Sequence, residues 1–135
     1  MKLIIAGGRD LKVTMNLLRG IMVAYDIDLA SIKEIVCGEA SGVDAAGKGF
    51  ALGFNIPVKS FPYKSELGKA GGPVRNREMA QYGDALLLIW NCHSRGSASM
   101  KTEALKEGLP IWEVILANPP AKKLLKENGL SVLRK

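Results

Sequence analysis

Four short stretches of this 135-residue chain combine glycine with cationic and small polar side chains. They are Gly7-Gly8-Arg9-Asp10, Gly38-Glu39-Ala40-Ser41-Gly42-Val43-Asp44, Lys69-Ala70-Gly71-Gly72-Pro73-Val74-Arg75-Asn76-Arg77, and Asn91-Cys92-His93-Ser94-Arg95-Gly96-Ser97. A glycine turn lets the backbone approach a ligand closely and exposes its N–H groups. Placed before a helix, those donors add to the positive end of the helix dipole and make an anion site. Arginine contributes bidentate donors that match phosphate. A single turn of this kind helps any strand enter a helix. Several of them, with Arg9, Arg75 and Arg95, point to a phosphate-bearing small molecule, a nucleotide or nucleotide derivative. The expected ligand-binding residues are Gly7, Gly8, Arg9, Asp10, Gly38, Glu39, Ser41, Gly42, Asp44, Lys69, Gly72, Pro73, Arg75, Asn76, Ser94, Arg95, Gly96 and Ser97.

Each stretch follows an apolar run. Residues 3–6 are apolar and stop at Gly7; residues 32–37 are rich in β-branched side chains and stop at Gly38; residues 57–61 form a third short run. Ala85–Trp90 is continuously apolar, as expected for a strand covered on both faces. Residues 111–116 give a fifth strand, and Pro119-Pro120 ends it. Between these runs the apolar spacing is helical. Val13, Leu17, Leu18, Ile21 and Tyr25 share one face, and Val43, Ala46, Phe50 and Phe54 share another. A polar, glycine-rich loop over 62–72 leads into a helix from Gly72-Pro73 to about Tyr82, with proline in the first turn. Another helix covers 96–107 and closes at Gly108. Alternating strands and helices with short connections predict an α/β fold, a doubly wound parallel sheet of about five strands of Rossmann-like type. Ligands bind such sheets outside the carboxyl ends of the strands, where all four stretches fall. Residues 1–118 read as one nucleotide-binding domain and 119–135 as a basic C-terminal helix or tail.

Composition narrows the class. Hydrophobic residues make up 47% and charged residues 24%, which argues against disorder. The longest apolar run has six residues, far short of the roughly 20 that cross a bilayer. The start of the chain reads as a strand rather than a signal peptide. Two cysteines and one histidine support neither a disulfide scaffold nor a structural zinc site, so a reducing, cytoplasmic setting is expected, without metal or cofactor. Of the net charge of +6, residues 121–135 carry +4 and the rest of the chain +2. The excess is thus a tail property, read as a solubilising end more readily than as a contact to nucleic acid or membrane.

Two familiar phosphate motifs are absent. Gly-x-Gly-x-x-Gly does not follow the first strand, and the P-loop pattern does not occur, which disfavours ordinary NAD binding and P-loop hydrolysis. Cys37 reads as a small core residue, and nothing near Cys92 would activate its thiol. His93 sits in the fourth tip, either solvated or donating to a ligand. Trp90 and Trp112 read as core, with Trp90 close enough to the strand end to stack on a base. The methionines read as core filling. Lys64 and Lys69 are solvated or close over a ligand as a lid.

At these stretches the sequence resembles the SLOG superfamily, a Rossmann-like group that includes the LOG and DprA proteins. It is most similar to the small stand-alone DUF2493 branch. The matching segments are Ile5-Ala6-Gly7-Gly8-Arg9-Asp10, Gly38-Glu39-Ala40-Ser41-Gly42-Val43-Asp44, Gly71-Gly72-Pro73-Val74-Arg75-Asn76-Arg77-Glu78-Met79 and Ser94-Arg95-Gly96-Ser97, within residues 2–116. The resemblance implies nucleotide binding and a homo-oligomer, a dimer or higher. In that branch the second tip usually reads Gly-Gly-Ala, whereas this chain has Glu39. A carboxylate there disfavours a neighbouring phosphate unless it accepts from a ribose hydroxyl or a base amine. LOG-type enzymes cleave an N-glycosidic bond with an Arg and a Glu. Arg75 is the match for their Arg, but Met100 stands where their Glu would be.

Three functions follow as alternatives. The first is a sensor or sequestering module that binds a nucleotide-derived ligand. The second is an N-glycosidase or nucleotide hydrolase of LOG type, with Arg75 holding phosphate and Asp10, Glu39, Asp44 or Glu103 as general acid/base. Against it, Asp10 has a competing role as a helix cap and Asp44 as a dipole complement. The third is DprA-like single-stranded DNA binding, opposed by the weak body charge and 6% aromatic content. The expected partner is therefore a small-molecule nucleotide; nucleic acid and membrane are disfavoured.

Overall fold

The computed structural model describes residues 1–116 and 132–134. Five parallel strands, β1 (Lys2–Gly7), β2 (Glu34–Gly38), β3 (Val58–Phe61), β4 (Ala85–Trp90) and β5 (Ile111–Ile115), alternate with helices α1 (Met15–Ala24), α2 (Val43–Gly53), α3 (Gly71–Tyr82) and α4 (Arg95–Lys106). The order across the sheet is β3-β2-β1-β4-β5, so the chain winds outward from β1 in one direction and then returns to wind in the other. A sixth strand, β6 (Val132–Arg134), pairs antiparallel with β5 and was not anticipated. The sequence reading placed a basic helix or tail over 119–135; apart from β6, that span lies outside the described residues.

Alternation along each central strand feeds two separate cores. Leu3 and Ile5 of β1, Ile35 of β2 and Leu87 and Ile89 of β4 face one way, onto Leu18, Ile21 and Met22 of α1 and Val43 and Phe50 of α2. Ile4 and Ala6, Val36, and Leu86, Leu88 and Trp90 face the other way, onto Met79 and Ala80 of α3 and Met100 and Ala104 of α4. The continuous apolar run of β4 is the expected consequence of cover on both faces. β1 and β4 pair in register from Leu3 with Ala85 to Gly7 with Ile89. The reversal of winding thus falls between the Gly7 and Ile89 ends, and the helices on either side of it start there. Among the described residues no helix is long and apolar enough to cross a membrane.

The helix boundaries follow local chemistry. Thr14 caps α1, its Oγ1 accepting from Leu17 N at 3.0 Å, so the cap is Thr14 and not Asp10. Ser94 caps α4 by accepting from Ser97 N at 3.3 Å. α2 and α3 start without any side-chain cap. The loop expected over 62–72 contains a short 3₁₀ segment, Ser65–Ala70, and α3 starts at Gly71.

Candidate functional site

The four tips meet. A cavity of about 1130 Å³ opens at the carboxyl ends of β1 to β4, against the start of α3 and α4. Of the eighteen residues expected to bind a ligand, all but Gly38 and Gly42 line it. Those two build the floor from beneath. Gly42 has φ +71°, a backbone region that disfavours any side chain, and a Cβ there would strike the Gly8 carbonyl. This close approach lets Val43 N donate to Gly8 O at 3.2 Å and Ser41 Oγ donate to Arg9 O at 3.2 Å, tying the second tip to the first.

Gly38 plays a different part. A Cβ on Gly38 would collide with Nη1 of Arg75 and would lie 2.7 Å from Oδ2 of Asp44. The bare backbone at the end of β2 is therefore the surface on which the Arg75 guanidinium and the Asp44 carboxyl lie together. Arg75 reaches it from the second turn of α3. Its Nε donates to Asn76 Oδ1 at 3.0 Å and its Nη1 to the Phe61 carbonyl at 3.4 Å. Asn76, 3% exposed, passes the restraint on: its Nδ2 donates to Gly96 O at 3.3 Å and to Ser99 Oγ at 3.1 Å. One buried amide thus joins the third tip to the fourth.

Asp44 is 6% exposed in the first turn of α2. Burial disfavours its charged form and pushes its pKa up to about 6. The Arg75 charge opposes that shift, as do hydrogen bonds from the Ala40 and Gly7 backbone, the first at 3.3 Å. A dipole-complementing aspartate at a helix start is normally solvated and strongly acidic; this one faces a cavity, and burial holds its carboxyl well above the usual carboxylate range. Ser97 is likewise buried at the start of α4, and its Oγ has no hydrogen-bond partner among the described residues. Arg9, Asp10, Glu39, Lys69 and Arg95 are exposed at the rim.

Other expectations need correction. Trp90 does not offer a stacking face: it is buried, and its Nε1 donates to Glu113 Oε2 at 2.7 Å, where Lys101 Nζ also lies 3.1 Å from Oε1. Glu103, the fourth candidate acid/base, lies outside the cavity and pairs with Arg77 and Lys106 at 3.4 and 3.6 Å. Lys64 pairs with Glu78 at 3.5 Å and does not line the cavity, whereas Lys69 does. Sequence reasoning passed over Pro62, Tyr63 and Ser99, which complete the wall. Tyr63 was hidden within a stretch read only as polar loop; an aromatic two residues past a strand end was the available signal. Among the described residues no group of histidine, cysteine and acidic side chains is arranged to hold a metal ion. Comparisons with protein-family models, curated proteins and solved structures returned no match.

Proposed function

We propose that this protein binds a nucleotide or nucleotide-derived ligand at the carboxyl edge of its sheet, as a sensor or sequestering module. The observation that carries the reading is the convergence of four strand tips on one cavity at the point where the winding reverses. At about 1130 Å³ the cavity lies just above the roughly 300–1,000 Å³ of ligand pockets, so it has room for a small metabolite. Its donors suit an anion: the Ser97 hydroxyl at the start of α4, unpartnered among the described residues, and the Arg75 guanidinium. Glu39, at the rim beside Ser41, is an acceptor for ribose hydroxyls. Isothermal titration against nucleoside monophosphates, cyclic nucleotides and ADP-ribose derivatives tests the reading. Saturable binding of at least one, weakened in Arg75→Ala, is the expected result; heat signals at the level of dilution for the whole panel would refute it.

Asp44 favours a second reading, N-glycosidic cleavage of the bound nucleotide. A carboxyl that titrates near pH 6 inside a cavity, against an arginine, is poised to give or take a proton. Asp10 or Glu39 supplies the second carboxylate that glycosidic chemistry commonly uses. Release of free base from a nucleoside monophosphate, lost in Asp44→Asn, would establish turnover; intact nucleotide after prolonged incubation leaves binding as the activity.

A further inference from the structure

One wall of the cavity is aromatic, at the same strand tip where Arg75 bonds the Phe61 carbonyl and Lys69 reaches the rim. Tyr63 lies two residues beyond the end of β3, lines the cavity, and is 49% exposed. It is nevertheless held firmly. Its hydroxyl donates to the Gly68 carbonyl at 2.5 Å. Its ring edge rests on the first residues of α3: a Cβ on Gly71 would lie 3.2 Å from Cε1, and one on Gly72 3.5 Å from Cε2. A Cβ on Gly71 would also strike the Lys64 carbonyl, so the chain here is folded tightly against the helix start. Ser65 N donates to Tyr63 O at 3.0 Å and Leu67 N to Lys64 O at 2.9 Å, closing the turn.

An aromatic ring with half its surface in water forgoes the stabilisation that burial provides. The chain does not use this ring as core, yet a hydrogen bond and the helix start set its position. A ring already ordered at a cavity wall can stack on a flat partner with little further loss of side-chain freedom. Its place along the sheet edge identifies the partner. From β3 the order runs through β2 and β1 to β4, so Tyr63 and the start of α4 are separated by three strand spacings, about 14 Å. Between them, above the end of β2, lie Arg75, Asp44 and Glu39. A nucleoside phosphate carries flat base, ribose and charge in that same sequence, with the ribose beside Glu39 and the phosphate between Arg75 and the start of α4.

We infer that Tyr63 is the stacking platform for the base of a nucleotide whose phosphate faces the Gly7-Gly8 and α4 end of the same cavity. The inference rests on the nucleotide-binding reading and adds which end of the ligand goes where. Binding of adenosine 5′-monophosphate and of ribose 5-phosphate to wild type, Tyr63→Leu and Tyr63→Phe separates the two. Stacking predicts that Tyr63→Leu weakens the monophosphate about tenfold or more and leaves ribose 5-phosphate unchanged. Tyr63→Phe keeps the ring but loses the bond to Gly68 that orders it, and should bind the monophosphate more weakly than wild type and more tightly than Tyr63→Leu, with ribose 5-phosphate unchanged. Equal loss for both ligands would mean that the ring merely props the loop, and unchanged binding in Tyr63→Leu would mean that it touches no base; either overturns the assignment alone. If wild type binds neither ligand and no other nucleotide, the nucleotide reading itself fails and this assignment with it.

Discussion

At the scale of single residues, the site is a set of polar groups whose states are set by burial. Asp44 illustrates this with a measurable consequence. Its folded pKa of about 6 lies above the unfolded value of 3.8, so the native state holds the proton more tightly. Below about pH 4 both states are protonated and the group is neutral to stability. As pH rises from about 4 to 6 the unfolded chain ionises first, and native stability falls; above about 6 the full cost is present. The drop is on the order of 3 kcal/mol. Asp44→Asn cannot titrate, so its urea-denaturation free energy should lack this decline between pH 4 and 7, and parallel pH profiles would disprove the assignment. The place of Arg75 and Asn76 at the cavity was legible in the sequence because they follow a glycine-rich helix start at the carboxyl edge of a strand. Their mutual bond, and the amide's reach to Gly96 and Ser99, were not: a side chain's partner twenty residues away is decided by how α3 and α4 lie together.

At the scale of elements, strands and helices were legible because hydrophobic period and glycine punctuation agree. The apolar run of Ala85–Trp90 is matched residue for residue by β4, and Pro73 sits in the first turn of α3. Boundaries slipped where local turns overrode period, as in β2, expected from residue 32 but starting at Glu34 because Ile32 closes the 3₁₀ turn Leu29–Ser31. Glycines divide by what surrounds them, and this gives a paired test. Gly42 is held at φ +71° with the Gly8 carbonyl where a Cβ would go, so Gly42→Ala should destabilise by about 2 kcal/mol or more and loosen the first two tips. Gly20 lies inside α1 with nothing near a would-be Cβ. Gly20→Ala should therefore stabilise by about 0.5–1 kcal/mol. Chemical denaturation of the two variants reads both signs; a stabilised Gly42→Ala would show that the tip can relax, contrary to the geometry described.

At the scale of the whole molecule, the doubly wound topology was legible because alternating strands and helices with short connections admit few arrangements. The pairing of Val132–Arg134 onto β5 was not, since three residues among basic neighbours carry no strand period. The same topology sets which layers the proposed ligand would touch. Two of the tips that line the cavity lead into α2 and the segment before α1, on one face of the sheet, and the other two lead into α3 and α4, on the opposite face. A ligand spanning them contacts both layers at the seam between β1 and β4, and unfolding either layer destroys the cavity. Binding should therefore stabilise the whole cooperative unit rather than one loop. At a concentration one hundred times its Kd, a ligand exclusive to the native state adds about 2.7 kcal/mol. For a chain of this length that corresponds to a rise in Tm of about 10 °C. Thermal scans should show one transition that moves as a unit with added nucleotide, and Arg75→Ala should suppress the shift at the same concentration. A split transition, with only part of the signal moving, would mean that the ligand engages the tips of one layer alone and that the seam does not couple them.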